Sequence, residues 1–250
     1  MLNVSDLTLG YGSEPVLEGA NLRVEAGQFV SLVGPSGSGK SSLLRAIMGL
    51  QQPTSGTVSI DLDHSSVGML FQDDALLPWR TAIDNVALGL RIRGKPWPHY
   101  RDTAGAWLGR LGLAGLEQRF PRALSGGQRK RVALAQVLAL QPRLLLMDEP
   151  FAALDAIVRH RITQDLLDLV EGEKISVLLV THDLEEALVL SDVVYLLGQG
   201  PRARIRERYS VPISRPRDVM KARTDPSFAP LLQRLWQDLS AEVDMMRRVA

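Results

Sequence analysis

Phe29-Val30-Ser31-Leu32-Val33 runs directly into Gly34-Pro35-Ser36-Gly37-Ser38-Gly39-Lys40-Ser41-Ser42, and this stretch decides the fold. The first five residues have strand length and are apolar on both faces, as a strand in a helix-covered parallel sheet must be. Gly34 to Ser41 match Gly-x-x-x-x-Gly-Lys-Ser/Thr, the phosphate-binding loop pattern. The context is the one that pattern requires, a strand before it and after it a helix, Ser41 to Met48, stopped by Gly49. Glycine lets the backbone fold around a phosphate with several N–H groups inward, and the helix start adds positive partial charge. Lys40 is expected to reach the β- and γ-phosphates of a nucleoside triphosphate, and the Ser41 hydroxyl to hold Mg2+.

Further strand-length apolar runs flank this core: Val67–Phe71, Leu144–Met147, Val177–Val180 and Val193–Leu197. Helical patterns lie between them, including Ile157–Val170, where Val158, Ile162, Leu166 and Leu169 share one face. Such alternation predicts an α/β fold. Leu144-Leu145-Leu146-Met147 ends in Asp148-Glu149, carboxylates that a buried parallel strand delivers to the crevice at its C-terminal end. Asp148 is expected near Mg2+, and Glu149 is placed to orient or deprotonate an attacking water. Leu2, Val4, Leu7 and Leu9 read as an antiparallel strand with a slip in its alternation. Between Asp73 and Pro142 no buried strand is expected, only helices punctuated by Gly94, Pro96 and Pro98. The predicted division is an α/β core over 1–72 and 143–210, a helical insertion over 73–142 and a C-terminal extension over 211–250.

Composition narrows the classes. The chain has 250 residues, 45% hydrophobic and 23% charged, an ordinary globular mixture for one large domain. Its net charge of +1 gives no prior for nucleic acid, and the absence of cysteine excludes disulfides and thiolate zinc sites. No basic-then-apolar leader opens the chain, and no apolar run approaches the ~20 residues that cross a bilayer. A soluble cytoplasmic protein is expected. From Gln199 to Arg223, eight Lys/Arg stand against Glu207 and Asp218. That stretch either faces anionic headgroups or is a solvated face with salt bridges to its own domain, the second reading being preferred. Trp97, Trp107 and Trp236 are expected to be packing residues.

Between the two carboxylate- and phosphate-directed motifs stands Leu124-Ser125-Gly126-Gly127-Gln128. With it, the chain resembles the ATP-binding cassette ATPases over nearly its whole length. The resemblance implies a RecA-like P-loop NTPase core with an N-terminal antiparallel β-subdomain and an inserted α-helical subdomain. It further implies that Tyr11 stacks on adenine and that Gln72 is the Q-loop glutamine, a catalytic and Mg2+-facing group. Ala153-Leu154-Asp155 resembles the D-loop, and His182 the switch histidine. The nucleotide-binding set so implied is Tyr11, Gly34 to Ser42, Ser125, Gly126, Gly127, Gln128 and Asp155, with Glu149, His182 and Gln72 catalytic and Ser41, Gln72 and Asp148 on the metal. Ser125 and its glycines open a second helix able to face an anion. In this family two copies sandwich two ATP molecules, each between one P-loop and the opposing signature. Gln136 stands where relatives usually carry Arg.

Gln72 to Thr81, containing Leu76-Leu77-Pro78-Trp79, is similar to the nitrate, taurine and alkanesulfonate importer ATPases, the taurine type closest. Pro212 to Arg217 and Asp225 to Phe228 agree. This resemblance implies ATP and Mg2+ as cofactors and a peripheral place at the cytoplasmic face of the inner membrane. It also implies three partners: transmembrane permease subunits, a second ATPase copy and, indirectly, an extracytoplasmic solute-binding protein. Nucleic acid is not expected. Leu76 to Trp79 would form an apolar docking patch with Trp79 as anchor, or else the two leucines pack internally. A soluble non-transport member of the same family is the alternative.

Overall fold

The computed structural model describes residues 1–250 except 12–13, 98, 153 and 248–250, and it leaves out the side chains of Tyr11 and 243–247. The chain divides into two units, Met1–Asp63 with Leu167–Ala250, and His64–Leu166.

In the first unit β1 (Leu2–Tyr11) lies antiparallel between β2 (Glu14–Val24) and β4 (Ser55–Ile60). Leu2, Val4, Leu7 and Leu9 are all buried. The expected slip falls between Val4 and Leu7, where Asp6 takes φ 47°. Gly56 faces it on β4 at φ 82°, and a Cβ there would lie 2.3 Å from the Asp6 carbonyl oxygen. The bulge is what keeps four leucine and valine side chains on the same face.

The same unit holds β3 (Phe29–Val33), β7 (Ser176–Thr181) and β8 (Val193–Leu197), with β9 (Ile205–Ser210) antiparallel to β8. The order is β7-β3-β8-β9, and β3 is parallel to both neighbours. Every residue of β3, β7 and β8 is buried, as the two-faced apolar runs predict. Helices α1 (Lys40–Ile47), α6 (Leu184–Leu190), α7 (Val219–Ala222) and α8 (Phe228–Arg247) complete this unit.

The C-terminal stretch is fastened inward. Arg217 is 4% exposed and donates to the carbonyls of Ile213, Val189 and Ser191 and to Asp192. Burial, then the neighbouring Arg215, lowers its pKa to about 10. Arg215 bridges Glu171 and Asp192, Arg204 pairs with Glu18, Arg206 with Glu242 and Arg223 with Glu185. Five of the eight basic residues therefore meet carboxylates of their own unit, as the preferred reading expects, but Arg217 is buried and not part of a solvated face.

The second unit contains β5 (Val67–Leu70) parallel to β6 (Leu144–Asp148), then α2 (Ala82–Ile92), α3 (His99–Arg110), α4 (Gly126–Leu138) and the start of α5 (Ala156–Gly172). No strand occurs among the described residues from 71 to 143. The buried stripe of α5 is Ile162, Leu166, Leu167 and Val170, with Val158 and Leu169 half-buried.

Two tryptophans depart from expectation. Trp107 is buried, but Trp97 is 59% and Trp236 56% exposed. Trp97 stacks edge-on against Tyr100 and under Arg101 instead of entering a core. On α8 the buried side is set by Phe228 and Leu235, which turns the adjacent Trp236 away.

Candidate functional site

In the first unit the phosphate-binding pattern lies where β3 hands over to α1. Gly34 is buried, and a Cβ on it would meet the Leu197 carbonyl oxygen at 2.6 Å, so only glycine fits. Gly37 and Gly39 take φ 78° and 95°, a left-handed backbone that turns the loop back on itself. Ser38 donates its hydroxyl to the Pro35 carbonyl at 2.8 Å. Ser36 and Gly37 are exposed, Pro35, Gly39 and Ser41 half-buried, and Ser42 buried. Gly39 is the N-cap of α1 and supplies no side-chain cap. The Lys40 ammonium, 5% exposed, donates to the carbonyls of Gly34 at 2.8 Å and Pro35 at 2.7 Å. A buried cation inside a glycine turn at a helix start is fitted to an anion of high charge density, and a polyphosphate is the natural one.

His182 follows the last residue of β7. Thr181 pairs with Val33, so His182 and Gly34 leave neighbouring strands at the same end. His182 is exposed. The cap of α6 is Asp183, which accepts from the Glu186 N–H at 3.0 Å, so His182 is not the capping residue.

The second unit repeats that arrangement with β5 and β6. Leu70 pairs with Met147, so Gln72 and the Asp148-Glu149 pair also leave adjacent strands at one end. Leu144 to Met147 are fully buried, whereas Asp148 and Glu149 are half-buried. Glu149 takes φ 43°, a conformation that costs a non-glycine residue about 1–2 kcal/mol and clusters at functional sites. Ser125 is the N-cap of α4 and forms a full capping box with Gln128: its hydroxyl accepts from the Gln128 N–H at 3.3 Å, and Gln128 Oε1 accepts from the Ser125 N–H at 2.9 Å. Asp155 plays the corresponding part for α5, accepting from the Val158 N–H at 3.0 Å. The two helix starts touch, for a Cβ on Gly127 would lie 2.5 Å from Val158 Cγ1. A groove of about 250 Å³ runs between them, lined by Ser125, Gln128, Arg131 and Arg161.

The structure thus groups Gly34 to Ser42 with His182 in one unit. In the other it groups Gln72 with Asp148 and Glu149, and Ser125 to Gln128 with Asp155. Tyr11 ends β1, but its side chain lies outside the described residues. Sequence reasoning missed Lys130 and Asp74. Lys130, 4% exposed on α4, donates to the Gln72 carbonyl at 3.1 Å and pairs with Asp74 at 3.2 Å. The run Arg129-Lys130-Arg131 gave no sign of which cation turns inward.

Beyond β5 the chain from Leu77 to Thr81 is pinned by Asn85, which is fully buried. Its Oδ1 accepts from the Leu77 N–H at 2.7 Å, and its Nδ2 donates to the carbonyls of Leu77, Arg80 and Thr81. Trp79 is 70% exposed, and Leu76 and Leu77 are half-buried. Phe71 and Ile92 are exposed along an apolar groove of about 330 Å³ that also includes Leu88, Gln136 and Val137.

A glycine-lined, lysine-bearing turn between a buried parallel strand and a helix defines a P-loop nucleotide-binding α/β protein. Comparison narrows the class. A family model described as ABC transporter matches residues 17–152. The aliphatic sulfonates import ATP-binding protein SsuB 1 of Rhodococcus jostii is 51% identical over 212 residues, 83% of this chain and 82% of its own. The taurine import ATP-binding protein TauB of Yersinia pestis is 43% identical over 216 residues, 84% of each. A dimeric structure of the ATP-binding cassette MJ0796 in a post-hydrolysis state, bound to ADP and Pi, superposes with a TM-score of 0.74 at 33% identity, over 86% of this chain and 100% of that one. The chain belongs to the ABC transporter family, as an ATP-binding, ATP-hydrolysing cassette.

Proposed function

We propose that the chain is the ATPase subunit of an importer that takes up a small anionic solute of the taurine, sulfonate or nitrate type. The observation that carries this is the presence in one chain of two helix starts shaped for anions, the Gly34–Ser42 cradle and the Ser125 capping box, in separate units. Two copies facing each other would close each ATP between the cradle of one and the signature of the other. The relatives' names support import, and the cassette structure supports pairing.

The cradle N–H groups and Lys40 bind the phosphates. Ser41, Gln72 and Asp148 supply hard oxygen donors, which suit Mg2+; bound there, Mg2+ would neutralise charge on the phosphates. Glu149 accepts the proton of the attacking water as the bond between the γ-phosphorus and the bridging oxygen breaks, and His182 contacts the γ-phosphate. Tyr11 stacks on adenine, and Asp155 acts across the paired copies. The core over 1–72 and 143–210 and the helical insertion over 73–142 carry these two half-sites, with 211–250 an extension.

No helix among the described residues is long and apolar enough to cross a membrane. Passage is the work of separate permease subunits, fed by an extracytoplasmic binding protein, with this chain at the cytoplasmic face of the membrane. Trp79, on its Asn85-pinned loop, and the adjoining apolar groove are the docking surface for the permease. Co-expression with its permease tests this: the wild type co-purifies with an integral membrane subunit, and Trp79→Ala weakens recovery at least ~10-fold, the hot-spot range for a buried anchor. Hydrolysis stimulated by nucleic acid, with no membrane subunit recovered, would overturn the importer reading.

A further inference from the structure

We propose that Lys130 is a positioning residue that joins the Gln72 segment to the signature helix, so that a displacement of Gln72 carries Ser125 with it. The clamp is built from both ends. Lys130 Nζ donates to the carbonyls of Phe71 at 3.4 Å and Gln72 at 3.1 Å, and meets Asp74 Oδ1 at 3.2 Å. Arg129, the preceding residue on α4, takes the other carboxylate oxygen of Asp74 at 3.4 Å and donates to the Leu124 carbonyl at 2.8 Å. Three residues of the post-β5 segment, Phe71, Gln72 and Asp74, are thereby tied to two consecutive residues of α4, one turn beyond Ser125.

The Lys130 side chain is 5% exposed and that of Asp74 23%. An ion pair so sheltered is little screened, and removing one partner leaves the other charge buried and its carbonyl acceptors without their donor. Backbone carbonyls of Phe71 and Gln72 are held directly, so the clamp fixes the main chain from which the Gln72 side chain springs. Packing alone would let the segment slide on α4; a buried cation with three acceptors does not. Local electrostatics thus makes one body of two motifs more than fifty residues apart in sequence.

The inference rests on the reading that Gln72 and Ser125 serve the same hydrolysis, and the test separates the two. Because the chain has no cysteine, Asp73→Cys and Arg122→Cys, both exposed positions, can be spin-labelled cleanly and their separation measured by pulsed electron resonance. With Lys130 present the distance distribution should be narrow; Lys130→Met should broaden it, and Lys130→Arg should restore it. In unlabelled protein Lys130→Met should lower kcat at least ~10-fold while the ATP dissociation constant changes less than ~2-fold, with Lys130→Arg recovering most of the rate. Lys130→Gln, which keeps a donor, serves if the Met variant fails to fold. An unbroadened distribution, or loss of ATP affinity in step with kcat, overturns the inference. If Gln72→Ala and Ser125→Ala leave hydrolysis at the wild-type rate, the parent reading fails instead.

Discussion

Gly127→Ala offers a quantitative trial of the signature geometry. Its Cβ would sit 2.5 Å from Val158 Cγ1, with Ile162 Cδ1 at 3.7 Å. Carbon atoms pack at about 3.5–4.0 Å, so the starts of α4 and α5 must separate by about 1 Å or Val158 must leave its rotamer. Such overpacking costs about 1–3 kcal/mol, against which Ala gains up to about 1 kcal/mol over Gly in helix propensity. The net loss of about 0–2 kcal/mol should lower Tm by no more than about 8 °C in a chain of this size. Hydrolysis should suffer more, because a 1 Å misplacement of a catalytic contact can cost ~10²-fold. Phosphate release, fluorescent-nucleotide titration and thermal unfolding separate the effects: rate down, ATP affinity of the single chain intact, stability slightly reduced. Val158→Ala removes the clashing methyl, so Gly127→Ala/Val158→Ala should recover much of the lost rate. A Gly127→Ala protein hydrolysing at the wild-type rate, or a double variant no faster than the single, would refute the packing argument.

Three other substitutions probe separate parts of the structure. Glu149→Gln should retain ATP, slow turnover at least ~10²-fold through loss of the base and accumulate a dimer on size-exclusion chromatography; turnover at the wild-type rate would remove Glu149 from its role. Ser125→Ala should abolish steady-state hydrolysis while leaving single-chain ATP affinity unchanged in a nucleotide titration, at a capping cost of about 1 kcal/mol seen in urea unfolding. Arg217→Ala strips the donor from three buried carbonyls and from Asp192 and should cost about 3–5 kcal/mol, visible as a lower Tm and as proteolysis within 211–250, with ATP affinity retained.

What the sequence made legible is what is local along the chain. The β3-to-α1 stretch is contiguous, and each of its residues constrains the next. The helix start at Ser125 is signalled by the serine and the glycines that follow it, and the β1 slip follows from the spacing of Leu2, Val4, Leu7 and Leu9. Residues whose role depends on a distant partner were not legible. Lys130 looks like any cation of a polar helix start until Phe71, Gln72 and Asp74 are brought beneath it. Arg217 belongs to a basic stretch with the composition of a solvated face, yet it is among the most buried charges described. Trp236 shows the converse: an aromatic on an amphipathic helix suggests packing, but the side that packs is fixed by Phe228 and Leu235.

The two helix starts differ in a way that orders the reaction. At α1 the cap is a glycine with no side chain to offer, and the turn before it encloses a buried ammonium. An incoming polyphosphate there displaces no side-chain cap and meets a buried ammonium, which suits α1 to hold a phosphate within a single chain. At α4 the capping box already occupies the Ser125 and Gln128 N–H groups, and the groove beside it reaches Arg131, whose charge is engaged by Asp165. That start, with those N–H groups already capped, is suited to contact a phosphate held elsewhere. On the proposed function, ATP loads on the Gly34–Ser42 cradle first, and the signature adds its contact when a second copy presents it. On this account single-chain affinity is indifferent to Ser125, whereas dimer lifetime is not, because the energy of the α4 contact is realised entirely in the closed pair.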